Sequence, residues 1–134
     1  MVILYDRFNL PENVFELIFS TSQQQIVAKE LIKYVIANKG EITKTEMSLF
    51  ATELHEGNYE TTLSEGQYKG RLVKLSYNKR QFYDRILTPM KSMGLIDYDL
   101  YSKTYKISTK FSNDLIKMGI MWKQTLKKMG FETP

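Results

Sequence analysis

Arg80 and Gln81 are the side chains of this sequence best suited to selective recognition. A guanidinium can donate two parallel hydrogen bonds to the O6/N7 edge of guanine, and a carboxamide can donate and accept at the N6/N7 edge of adenine. Both sit in SYNKRQFYDRILTPMKSMG, residues 76–94, where Phe82, Ile86, Met90 and Met93 recur at spacings of four, four and three and so share one side of a helix. Projected at about 100° per residue, Tyr77, Arg80, Gln81, Asp84, Thr88 and Lys91 fall on the opposite side. Tyr77, Asn78, Arg80, Gln81 and Asp84 are therefore candidates for base edges, Asp84 as an acceptor from a cytosine amine. Lys79, Arg85 and Lys91 suit phosphate oxygens, contacts that position a duplex without reading it. An amphipathic helix with a merely solvated polar side shows the same periodicity, so the surroundings must decide.

Other chemistry is poorly supplied. The chain has no cysteine, which excludes disulfides, zinc–thiolate sites and thiol catalysis, and fits a reducing cytoplasm. His55 is the single histidine, so a Ser/His/Asp set has almost no base to draw on. Gly66 and Gly70 lack the Lys-Ser/Thr that completes a phosphate loop. Glu53 and Glu56 share a helix side without a second acidic cluster. We expect no enzyme, no cofactor and no metal. Seven methionines fall mostly at core spacing. The apolar N-terminus is interrupted by Asp6, Arg7, Asn9, Glu12 and Glu16, so neither a secretory signal nor a membrane span is expected.

The elements that would position the 76–94 helix can be traced along the chain. Residues 1–21 form an arm whose Val2, Leu4, Phe8, Val14, Phe15, Leu17, Ile18 and Phe19 need cover, with Pro11 interrupting it. A helix capped by Ser22 runs to about Asn38 and is apolar on a broad side. After Lys39-Gly40, Glu41-Ile42 offers a very short strand. Thr43-x-x-Glu46 has the form of a capping box opening a helix to about His55. Lys44 lies there too, where backbone N–H groups and hydroxyls can meet a phosphate, although capping alone accounts for both threonines. Residues 56–75 are the least readable: a lid, a mobile loop or another short helix, with 71–75 a strand or a lead into the next element. Ser76 caps the helix already described, Pro89 should bend its last turn, and Gly94 stops it. Residues 95–99 and 104–108 alternate as a hairpin, with Lys103 at its turn. A final helix then carries Phe111, Leu115, Met118, Trp122, Thr125 and Met129 at spacings of 4, 3, 4, 3 and 4, a heptad seam widened by Leu126. The seam is either a dimer interface or the side on which the N-terminal arm docks.

Charge is distributed unevenly. Residues 1–68 hold five basic and ten acidic side chains, whereas 69–131 hold fourteen basic and four acidic, within a net charge of +4. A C-terminal half at +10 is an electrostatic footprint for a polyanion.

Together, "RQFYDRILTPMKSMGLIDYD" (80–99), with Met93-Gly94-Leu95-Ile96 inside it, and "YKIST" (105–109) resemble the winged helix-turn-helix superfamily. The likeness covers about residues 22–130 and is to small prokaryotic, archaeal or viral transcription regulators; "RILTPMKSMG" is also similar to winged-helix domains of plasmid replication initiators. The resemblance implies a mainly α fold of the α+β class with a small β-hairpin wing. It implies a DNA-binding domain at 22–108 and a dimerisation helix at 109–134 using Phe111, Leu115, Met118, Trp122, Leu126 and Met129. The partners it implies are double-stranded DNA and a second copy of the chain, with no membrane. The expected function is sequence-specific DNA binding by a dimeric transcriptional regulator. The alternatives are a replication or partition protein on the same fold, and a protein–protein interaction module.

Overall fold

The computed structural model describes residues 7–63 and 70–132. The fold is α+β, with a small antiparallel sheet packed among helices. Helix α1 (Val14–Ile18) is capped by Asn13, whose carboxamide oxygen accepts from the Phe15 and Glu16 amides. Helix α2 spans Ser22–Ala37, with Thr21 rather than Ser22 as its N-cap: the Thr21 hydroxyl accepts from the Gln24 amide at 3.1 Å. Strand β1 (Glu41–Thr43) leads directly into α3 (Lys44–Glu56). The expected capping box is present, with Thr43 and Glu46 each accepting the other's backbone N–H at 3.1 Å.

Beyond Glu56, the stretch to residue 75 forms strands rather than another short helix in its described part. Strands β2 (Tyr59–Thr62) and β3 (Leu72–Leu75) pair antiparallel, Tyr59 opposite Leu75 and Thr62 opposite Leu72; residues 64–69 lie outside the described residues. This second hairpin is pinned to α2 by polar contacts. Tyr59 donates its hydroxyl to Glu30 at 3.4 Å, and the Lys33 ammonium bridges Glu30 and Thr61 at 3.2 Å each. Glu30 is buried, so these partners are what make its carboxylate tolerable there.

Helix α4 covers residues 79–92 in three parts: Lys79–Gln81, a π-helical segment Phe82–Leu87, and Thr88–Ser92. It begins two residues later than the Ser76 cap implied. The cap is Asn78, whose side chain accepts from the Gln81 amide at 3.1 Å. Residues 76–77 instead run past the end of α3, where the Tyr77 amide donates to the Leu54 carbonyl at 2.9 Å. The Leu54 carbonyl also accepts from the Gly57 amide at 3.1 Å, so the Tyr77 amide is its second donor, and the bond draws the Tyr77 ring into the core.

Pro89 does not simply bend the last turn. It has no N–H to give and crowds the carbonyl four residues back. The preceding turn is wider: the Thr88 amide reaches the Tyr83 carbonyl, five residues away, and the Thr88 hydroxyl donates to the same oxygen at 2.8 Å. One extra residue in a turn sets later positions back by about 100°. Leu87 thus joins Phe82, Ile86 and Met90 in the core, while Met93, expected beside them, is 46% exposed.

Gly94 ends α4, and β4 (Ile96–Asp99) and β5 (Thr104–Ile107) follow as the expected hairpin. The sheet order is β1-β5-β4, with Ile42 opposite Tyr105 and Tyr105 opposite Tyr98. Its buried Ile42, Ile96 and Tyr105 meet Val27, Leu31 and Val35 of α2, Met47, Phe50 and Leu54 of α3, and the inner side of α4. Phe50 is the hub, with its ring 5.2 Å from Tyr34, 5.0 Å from Tyr59 and 5.6 Å from Phe82. The arm contributes Phe19 to the core, with Phe15 and Ile18 packed against it; Val2 and Leu4 lie outside the described residues. Helix α5 (Lys110–Lys128) then leaves the body. Only its Phe111 is buried.

Candidate nucleic-acid interface

Around the start of α4, the helix rests on α3 through Lys79. Its ammonium donates to the Thr52 hydroxyl at 2.9 Å and the Ser48 hydroxyl at 3.3 Å, and its amide donates to Nδ1 of His55 at 3.1 Å. Lys44, Ser48 and Thr52 are spaced four apart, so they form one stripe along α3. At the other end of that stripe the Lys44 amide donates to the Lys103 carbonyl at 2.9 Å, which ties the first turn of α3 to the β4–β5 turn. A continuous strip therefore runs from Lys103 through Lys44, Ser48 and Thr52 to Lys79 and Arg80. Four of its six side chains are cations.

Beyond that strip, Arg80, Gln81, Asp84, Arg85, Thr88 and Lys91 are all exposed on α4. Arg80 meets Asp84 only at 4.0 Å, with both side chains largely in solvent, so the guanidinium keeps most of its donors available. Lys106 and Lys110 are engaged elsewhere, with Glu41 at 3.6 Å and Asp97 at 3.0 Å. The β4–β5 turn is built by Asp99, which accepts from the Tyr101 amide at 2.9 Å and the Ser102 amide at 3.3 Å. Those two bonds, Tyr101's first, hold the Asp99 carboxyl below its ordinary range, so it stays ionised as the anchor of the turn. Lys103 takes a left-handed φ of 53° there, and Leu100 and Tyr101 stand out into solvent.

The residues expected to act together thus divide. Arg80, Gln81, Asp84, Arg85 and Lys91 are all exposed along α4, Lys91 beyond the wide turn, and the Lys44 amide meets the Lys103 carbonyl at the β4–β5 turn. Tyr77 does not join them, since at 7% exposure it is a core residue. Asn78 spends its carboxamide oxygen on the helix cap, and Lys79 spends its ammonium on two hydroxyls. Ser48, Thr52 and His55, which hold α4 in place, were not anticipated. The four-residue spacing of Lys44, Ser48 and Thr52 is visible in the sequence, but the pairing of Ser48 and Thr52 with Lys79 spans 31 and 27 residues and leaves no local trace.

Along α5, Leu115, Met118, Trp122 and Met129 are exposed, Trp122 at 61% and Met129 at 79%, so the described arm residues do not cover the seam. Among the described residues no helix is long and apolar enough to cross a membrane, and no group of three His, Asp or Glu side chains is gathered as a metal site. The chain matches no protein-family profile, no curated protein and no solved structure.

Proposed function

We propose that this protein is a sequence-specific binder of double-stranded DNA with a winged-helix architecture, acting as a homodimeric transcriptional regulator. Helix α4 enters the major groove, where Arg80 and Gln81 meet base edges. Arg85 and Lys91 flank it on phosphates, and Lys44 and Lys103 grip the adjoining backbone beside the β4–β5 wing. One observation carries the reading: the exposed guanidinium-and-amide side of α4 continues into a cationic strip that ends at the wing. The sheet order β1-β5-β4, which sets the wing turn against the first turn of α3, supports it.

Selection of bound sequences from random duplexes, followed by binding measurements on the selected site, tests the reading. Arg80→Ala should cost about 1–3 kcal/mol on the selected site and far less on random duplex. An equal loss on both would make Arg80 a phosphate contact. Failure to retard any duplex at low salt would end the proposal. Footprints confined to repeated origin sites would move the role to replication.

A further inference from the structure

Helix α5 leaves an apolar seam in solvent, and the residues of that seam specify what can cover it. With Leu115, Trp122 and Met129 at one core position of the heptad and Phe111, Met118 and Thr125 at the other, the pattern reads d-a-d-a-d-a. Reversing the helix about residue 120 maps the seam onto itself. Leu115 then lies opposite the second copy's Thr125, and Met118 opposite its Trp122. The terminal Met129 reaches toward the second copy's Phe111, where α5 meets the body. Each layer joins a larger side chain to a smaller or more flexible one. In a parallel pair, two Trp122 rings would share one layer and two Thr125 side chains another.

Charge makes the same choice. Asp114 and Lys128 occupy the same flank of the seam, one near each end of the helix. In an antiparallel pair equivalent flanks face each other, so Asp114 of each copy meets Lys128 of the other, twice by symmetry. In a parallel pair Asp114 has no cationic counterpart across the seam, and Lys123, Lys127 and Lys128 of both copies crowd one end. We propose that α5 pairs antiparallel with α5 of a second copy of this chain, through the layers Leu115–Thr125 and Met118–Trp122 and two Asp114–Lys128 ion pairs. This adds a geometry to the two-fold pairing on which the DNA reading rests. Its test uses no DNA, so failure of one is distinguishable from failure of the other.

Sedimentation equilibrium of the full chain should give twice 15.8 kDa, and Trp122→Glu should give the monomer. Asp114 and Lys128 are exposed, so changing them leaves the fold intact. Asp114→Lys alone should weaken the dimer about 3–10-fold, and adding Lys128→Asp should restore it. The cysteine-free chain also permits a clean crosslink. Leu115→Cys mixed with Thr125→Cys should form a disulfide-linked pair, while neither variant should link to itself. Self-linking of each variant alone would establish a parallel pair and overturn the proposal, as would a monomeric mass at tens of micromolar.

Discussion

Replacing Gly94 by alanine tests whether the junction of α4, the β4–β5 hairpin and α5 is as tight as its geometry implies. Gly94 holds φ at +83°, and an added Cβ would stand 3.1 Å from Cβ of Lys110 and 3.2 Å from the amide nitrogen of Phe111. That amide donates to the Gly94 carbonyl at 3.2 Å, so one of the crowding atoms belongs to the hydrogen bond that launches α5 and the other to the residue before it. Gly40 is the control: it has nearly the same φ, +84°, and nothing within 4 Å of the added atom. The left-handed conformation costs alanine about 1–2 kcal/mol, and the stiffer unfolded chain returns about 0.5. Gly40→Ala should therefore lose about 1 kcal/mol. Gly94→Ala carries the same loss plus about 1–3 kcal/mol for displacing packed atoms, about 2–4 in all. Followed by far-ultraviolet circular dichroism, that is a fall in Tm of about 10 °C for Gly94→Ala against about 4 °C for Gly40→Ala. Equal losses would mean that the start of α5 gives way freely, and that the β4–β5 hairpin and α5 are not held in a fixed relation.

The remaining predictions concern the hairpin and the cationic strip. Burial first, and the Glu30 carboxylate second, push the Tyr59 hydroxyl from its ordinary 10.0 up to about 12. The folded state thus holds this proton more tightly than the unfolded chain, so the stabilisation is complete below pH 10 and is lost between pH 10 and 12. The displacement is worth at most about 2.7 kcal/mol; solvent around the half-exposed ring leaves about 1 kcal/mol. Urea unfolding at pH 9 and pH 11.5 should show that loss, and Tyr59→Phe should shrink it; an unchanged difference in the variant refutes the assignment. On any duplex, Lys44→Ala should lower affinity uniformly and reduce the slope of log K against log salt by about one. A loss specific to the selected site would instead make Lys44 a base reader.

Much of the frame was legible because its determinants are close together in the chain. Thr43 and Glu46 meet within one turn, Gly94 stops a helix where a left-handed residue is required, and the alternation in 96–107 needs only its own register. The exposed side of the first part of α4 was legible for the same reason, since Arg80, Gln81 and Asp84 follow helical spacing. What escaped depends on distant partners. Tyr77 has the look of a polar helix residue until the Leu54 carbonyl claims its amide. The β2–β3 hairpin is fixed by Glu30 and Lys33 of α2, far from its own glycines. The exposure of Met93 follows from a wide turn that Pro89 signals without stating its location. Lys79 is identical in type to a phosphate-binding lysine, and only Ser48 and Thr52 reveal its structural employment.

That wide turn lets one rod serve two masters. The first stretch of α4 presents Arg80 and Gln81 outward at one angle, and the last stretch seats Met90 and hands the chain to the β4–β5 hairpin at another. The misfit between the two angles is absorbed midway, at Phe82–Leu87. Under the proposed reading, substitutions at Arg80 and Gln81 act on a stretch of helix that is out of register with the one leading into the β4–β5 hairpin.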